Sequence, residues 1–311
     1  MFDVIMYDGG VYRSDELYEM IEDVGGVVLL KNRNAQMLTV IMSIPHGDRK
    51  MVEGLCLEIG GKVKEVPLAG TEIAVVGPTL GRHHMPHPIC DIAEYLRRCG
   101  AVTVVMGLAR GRGKLTAQIN LKERKIIDEY DVCVFMLGNF KSCVEAKAEL
   151  FEDIEAPVVL VSGPKPEGVE DLVDANVYDV GRKMSRMKTS IEIAKLVEIG
   201  DRVIDVLRDK MASLEEDPLY TVPSDLKAVL ETYGPINMSL RPVPLVMHLD
   251  GLRAKVSYDK YHEDIENMEI EGRRIGDICT VSPSKIDDNS TLIRILTRSE
   301  VEYRDSRNKR V

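Results

Sequence analysis

Between residues 71 and 185 the chain alternates short apolar runs with amphipathic stretches. The runs fall at 72–76 (EIAVV), 102–108 (VTVVMGL), 131–137 (DVCVFML), 157–162 (PVVLVS) and 176–180 (NVYDV). Helical spacing is found between them, at 90–99, about 117–129, 141–152 and 167–174. Near-continuous β-rich runs separated by helices predict a parallel sheet covered on both faces. Crossovers in such a sheet are right-handed, so every strand-to-helix loop is expected on one edge, at the carboxyl ends of the strands. Those loops are GPTLGRHHMPHPIC, GLARGRGK, GNFKSC, SGPKPEG and GRKMS.

The flanking regions follow other patterns. Residues 1–70 mix apolar runs (VIMY, VVLL, MLTVIM) with helix-like stretches at 14–24 and 48–59, an N-terminal α/β segment without a chemical motif. Ser14 reads as the cap of the first of these helices and Gly25-Gly26 as its stop. Residues 186–215 predict a long amphipathic helix with Ile193, Val197, Ile204, Leu207 and Met211 on its apolar stripe. From about 218 a proline-rich linker leads to MHLDGLRAKVSY, a hairpin on an Asp-Gly turn. A second strand pair, IGDICTVS and TLIRILTRSEV, and a charged, frayed tail complete the chain. Three parts are expected: 1–70; 71–216, the parallel α/β core carrying the His/Cys loops; and 217–311, a small β-rich C-terminal domain.

Composition narrows the function classes. With 311 residues, 44% hydrophobic and 30% charged, the chain can bury a real core. Its net charge of −10 argues against general nucleic-acid binding. The cations that break this trend are local: Arg82, then Arg110, Arg112 and Lys114, then Lys183, Arg186 and Lys188. No apolar run approaches the roughly 18–20 residues that span a bilayer, and MFDVIMYDGG has no signal-peptide character. A cytoplasmic protein without membrane association is therefore expected. Its six cysteines are expected as thiols rather than disulfides.

The unusual chemistry sits in the loops. GPTLGRHHMPHPIC holds His83, His84 and His87, three of the chain's six histidines, together with Cys90. Cys90 would open the next helix, where the dipole and free N–H groups favour a thiolate. Met85-Pro86 denies His84 and His87 a shared helical turn, and no recognised zinc spacing is present. GNFKSC repeats the arrangement with Cys143: strand, glycine turn, cysteine near a helix start. Asn139 and Ser142 are candidates to cap that helix or to donate to a bound group. GLARGRGK is either a solvated basic loop or an anion clamp; it lacks the order of a nucleotide P-loop. Cys133 belongs to the core, Cys99 points to the far edge, and Cys56 and Cys279 sit in ordinary apolar patterns. His46 and His248 have no partner visible in the sequence. No GxSxG elbow and no CxxC motif is present.

GPTLGRHHMPHPICDIAEYLRRCG and GNFKSCVEAKAELFEDIEAPVVLVSGP together resemble the operon protein C family of methyl-coenzyme M reductase. The longer chain is similar to the related methanogenesis marker protein 7 family. The resemblance implies a Rossmann-like or nitrogenase-like parallel core. It also implies an accessory rather than enzymatic role, in the ATP-dependent machinery that reductively activates methyl-coenzyme M reductase by bringing its nickel tetrapyrrole to Ni(I). Partners would be that reductase, operon protein C, other methanogenesis marker proteins and a separate ATPase subunit. The cofactor implied is an iron–sulfur cluster of the nitrogenase-cofactor-precursor type (8Fe-9S-C), relaying low-potential electrons. Cys90, Cys143 and one of His83, His84 and His87 are then its candidate ligands, while Arg82, Arg110 and Arg112 balance its charge. Relatives carry His where this chain has Cys143, and both residues are competent ligands. Two rival readings are a cluster-free docking protein of the same complex and an α/β enzyme that uses GLARGRGK as an anion cradle.

Overall fold

A computed structural model describes residues 2–77, 88–108, 119–180, 189–241 and 243–308. In the N-terminal part, β1 (Phe2–Gly10), α1 (Ser14–Asp23), β2 (Val27–Arg33), β3 (Met37–Pro45), α2 (Arg49–Glu58) and β4 (Lys62–Glu65) follow one another. The four strands pair antiparallel in the order β2-β3-β1-β4. Alternation along β1 sends Ile5 and Tyr7 into a core with Leu17, Ile21, Met42 and Val52, while Met6 joins Ile41 and Val66 on the opposite face. Ser14 is the first residue of α1 rather than its cap. The cap position is Arg13, in the left-handed region, with its guanidinium tied to Glu16 and Glu58.

The central part contains β5 (Glu72–Gly77), α3 (Ile89–Arg98), β6 (Val102–Gly107), α4 (Leu121–Ile127), β7 (Val132–Met136), α5 (Lys141–Glu145), β8 (Val158–Val161), β9 (Ala175–Val177) and α6 (Thr189–Glu216). The five strands form an all-parallel sheet in the order β6-β5-β7-β8-β9. Alternate residues of β5 feed two cores. Ile73 and Val75 meet α3 and α6 on one face, and Ala74 and Val76 meet Ile127 of α4 and Val144 of α5 on the other. This two-sided burial explains why the strands read as unbroken apolar runs. The expected 141–152 helix is shorter: α5 ends at Glu145 and a single tight turn follows at Ala148–Leu150. The expected 167–174 helix is likewise a single turn, Glu170–Leu172.

The apolar stripe of α6 is out of phase with the expected one. Ile199, Val203, Val206 and Leu207 are buried, Ile204 is partly buried, and Ile193, Val197 and Met211 are exposed. Packing against α3 selects the buried phase: Cβ of a residue replacing Gly200 would lie 2.8 Å from the Tyr95 ring.

The C-terminal part adds α7 (Pro223–Glu231), α8 (Gly234–Asn237), β10 (Leu245–His248), β11 (Gly251–Ala254), α9 (Tyr258–Asn267), β12 (Glu269–Ile270), β13 (Arg273–Arg274), α10 (Ile275–Ile278), β14 (Cys279–Pro283), β15 (Thr291–Ile295) and α11 (Arg298–Asn308). An antiparallel sheet in the order β10-β11-β15-β14 packs with α7, α9 and α10 around Leu226, Leu252, Ile265 and Ile293. Among the described residues this part holds more helix than strand. The final charged segment is not frayed through residue 308: α11 buries Val301 in the same core. The β10–β11 hairpin turns on Leu249-Asp250, with His248 paired to Gly251, so the turn falls one residue earlier than an Asp-Gly turn. Cβ of a residue replacing Gly251 would lie 2.1 Å from the Ile293 carbonyl oxygen, so neighbouring β15 demands glycine there. No helix among the described residues is long and apolar enough to cross a membrane.

Candidate functional site

The order in which strands are added reverses at one point of the parallel sheet. From β5 the chain crosses through α3 to β6 on one side, then returns through α4 to β7 on the other side of β5. α3 lies on one face and α5 on the other, the arrangement in which open α/β sheets bind ligands beyond the carboxyl ends of the strands. Cys90 is the second residue of α3, and Cys143 is the third of α5. The register Ile73↔Val132 to Val76↔Phe135 sets the two strands side by side. Thus the fold brings the starts of α3 and α5, with Cys90 and Cys143 in their first turns, to the same edge of the sheet, on either side of the point where the strand order reverses.

The loops on this edge that follow β7, β8 and β9 are stitched together. Gly163 N donates to the Gly138 carbonyl at 3.4 Å, Asp179 N to the Gly163 carbonyl at 2.8 Å and Val180 N to the Ser162 carbonyl at 3.0 Å. Lys141 pairs with Glu167, whose N–H donates to Glu145 Oε1 at 3.0 Å. Asn139 lies so close to Gly163 that a Cβ there would meet Asn139 Oδ1 at 2.4 Å. Neither Asn139 nor Ser142 stands at the cap position of α5. The cap position is Phe140, which offers no side-chain acceptor, and Ser142 already lies inside the helix, exposed. Arg82, His83, His84, His87, Arg110 and Arg112 lie outside the described residues.

The cysteines sort by environment. Cys90 is exposed, Cys99 half-buried, and Cys56, Cys133 and Cys279 are buried. Burial pushes the thiols of Cys56 and Cys279 up to about 12 and that of Cys133 well above its ordinary value. These three are packing residues held as neutral thiols.

The amino-terminal edge of the sheet holds a second group that the sequence did not announce. Glu72 opens β5, and Asp131 immediately precedes β7. His248 and Asp250 come from the β10–β11 hairpin, and Arg253 from β11. Asp131 is fully buried; its Oδ2 accepts from Glu72 N at 2.9 Å, and its Oδ1 from Leu249 N at 3.0 Å and Lys210 Nζ at 3.2 Å. Arg253 bridges Glu72 and Glu129, and Glu129 also accepts from Ser284 Oγ at 2.7 Å and from Lys285 N. Asp250 pairs with Arg294 and lies 3.8 Å from Lys210 Nζ. His248 Nε2 stands 3.1 Å from Glu72 Oε2, an ion-pair contact.

Electrostatics here follows from burial opposed by pairing. Burial raises the Glu72 carboxyl, but contacts with His248 and Arg253 outweigh it and leave the group below the ordinary range. For Asp250, burial is likewise outweighed by Lys210, Arg294 and His248. The only signals for this cluster in the sequence are acids at the thresholds of apolar strands, EIAVV and DVCVFML, and an Arg inside GLRAKVS. Nothing in the sequence couples them across 181 residues.

Comparison with known proteins gives one family. A family model described as methyl-coenzyme M reductase operon protein C matches residues 2–268. An uncharacterized protein of Methanocaldococcus jannaschii is 37% identical over 310 residues, covering 99% of this chain and 98% of its own. A methyl-coenzyme M reductase operon protein C of Methanococcus vannielii is 27% identical over 137 residues, 40% of this chain and 69% of its own. Among solved structures, a hypothetical protein shares 16% identity at a TM-score of 0.24 over 64% of this chain and 88% of its own. A likeness at that score carries no argument.

Proposed function

The chain belongs to the methyl-coenzyme M reductase operon protein C family, and on that premise we propose that it is an accessory subunit in the ATP-dependent reductive activation of methyl-coenzyme M reductase. It would hold an iron–sulfur cluster at the carboxyl edge of its parallel sheet. The observation that carries this reading is the reversal of strand order at β5, with β6 on one side and β7 on the other. Open α/β sheets bind their ligands at such a point, and Cys90 and Cys143 belong to the first turns of α3 and α5, helices that pack on opposite faces of the sheet.

The donor chemistry fits. Among the cysteine side chains described, Cys90 alone is exposed, at the first turn of a ten-residue helix. Cys90, Cys143 and one histidine of His83, His84 and His87 are the proposed ligands. Arg82, Arg110 and Arg112 supply positive charge, and Asn139 and Ser142 supply polar groups beside Cys143. When bound, the cluster supplies a low-potential one-electron carrier. The protein's task is to hold thiolates, place charge and shield the group from water. ATP hydrolysis belongs to a separate ATPase subunit, since this sequence carries no Walker motif.

Anaerobic purification of the activation complex, followed by iron and sulfide quantitation and EPR of the dithionite-reduced subunit, tests this. Several irons per chain and a reduced paramagnetic signal are expected. An active complex whose subunit carries no iron contradicts the proposal.

A further inference from the structure

We infer that Asp131, His248 and Asp250 form a second site, for a single divalent first-row metal ion, where the amino ends of the parallel strands meet the β10–β11 hairpin. Each residue offers one donor atom, and the three atoms lie within 4.8 Å of one another. Donors bound at about 2.0–2.2 Å stand roughly 3–4 Å apart around one ion, so shifts below about 1 Å close the site. One imidazole and two carboxylates select the borderline class: Mn2+, Fe2+ or Zn2+ rather than Ca2+ or Cu+.

A separate observation points the same way. His248 is 2% exposed, and neither ring nitrogen has a hydrogen-bond partner. Oδ1 of Asp250 is also buried without one. A buried imidazole ordinarily satisfies both nitrogens, one as donor and one as acceptor. An ion on Nδ1 resolves this, because Nδ1 faces Asp131 Oδ2 at 3.9 Å while Nε2 faces Glu72 Oε2 at 3.1 Å. Glu72 would then take the Nε2 proton in the carboxylate–histidine–metal arrangement that fixes a ligand's tautomer. Asp131 is oriented in the same manner by the backbone N–H groups of Glu72 and Leu249.

A cation already occupies the neighbourhood. Lys210 Nζ is 3.2 Å from Asp131 Oδ1 and 3.8 Å from Asp250 Oδ2, so its ammonium competes with the ion for both carboxylates. Lys210 and Arg294 also line a cavity of about 610 Å3, which gives the lysine somewhere to swing. The site lies on the sheet edge opposite Cys90 and Cys143, so it stands or falls independently of the iron–sulfur reading.

The test uses the full chain, stripped of metal, with Mn2+ as probe and EPR of the free ion as readout. One Mn2+ per chain is expected, retained in Cys90→Ala and lost in His248→Ala. Lys210→Met is expected to bind about tenfold more tightly or better, since a like charge near 4 Å is removed. That gain keeps the proposal falsifiable if His248→Ala fails to fold. Binding indifferent to His248→Ala in a folded variant, or no site in Lys210→Met, would overturn the inference and leave the cluster an ionic lock.

Discussion

Arg253 donates through Nη2 to Oε2 of Glu129 at 3.2 Å, across 124 residues of chain, while its Nη1 holds Glu72. One guanidinium thus ties the C-terminal sheet to the amino ends of the parallel strands, and both acids and the arginine are buried. Removing one member of a buried ion group leaves charges without compensation. Arg253→Met is expected to cost about 3–5 kcal/mol, read as a lowered urea midpoint. A loss under about 1 kcal/mol would mean the contact is energetically idle.

Acid should loosen the same junction. Glu72 and Asp250 are held below the ordinary carboxylate range in the folded chain, so the unfolded chain binds more protons as pH falls. Their contribution is complete above about pH 5, beyond the ordinary values of both unfolded carboxyls, and is lost as pH drops through their folded values. Stability measured by urea titration should fall steeply below that point, and Glu72→Gln should flatten the slope. An acid slope unchanged by Glu72→Gln would contradict this.

Gly251 gives a sharper steric prediction. Its missing Cβ leaves room for the Ile293 carbonyl, so Gly251→Ala must move a strand of the β10-β11-β15-β14 sheet. A loss of about 1–3 kcal/mol is expected. Gly47→Ala, where a Cβ meets nothing within 4 Å, is the control.

Much of this fold is legible in the sequence because two-sided burial writes itself as apolar runs. EIAVV and DVCVFML are strands β5 and β7, and the alternation of Ile73, Ala74, Val75 and Val76 between two cores shows why polar residues are missing from them. The phase of α6 was not legible. Ile193 and Val197 look as apolar as Ile199 and Val203, and only packing with Tyr95 and α3 separates them. The turn at Leu249-Asp250 was displaced by the neighbouring strand's need for glycine at 251. At the carboxyl edge, Cys90 stands at a helix start as its sequence position predicts, whereas the cap position of α5 falls to Phe140, between the two candidates Asn139 and Ser142. The cluster of Glu72, Asp131, His248 and Arg253 was hidden for a simpler reason. Each member is a single polar residue in an apolar context, and only the tertiary fold makes them neighbours.

Thiol reactivity distinguishes the cysteines directly. Iodoacetamide at neutral pH should alkylate Cys90 in the native chain, while Cys56, Cys133 and Cys279 react only on unfolding, since burial keeps them as neutral thiols. Peptide mass mapping reads the order. Native labelling of Cys133 before Cys90 would refute the assignment.

The most direct measurement is the iron content and activation competence of an anaerobically assembled complex carrying Cys90→Ala or Cys143→Ala in this subunit. The account predicts that both variants assemble, lose most of the subunit's iron and fail to support reductive activation of methyl-coenzyme M reductase. Full iron content and undiminished activation in both variants would contradict it, and would leave the carboxyl edge as a docking surface.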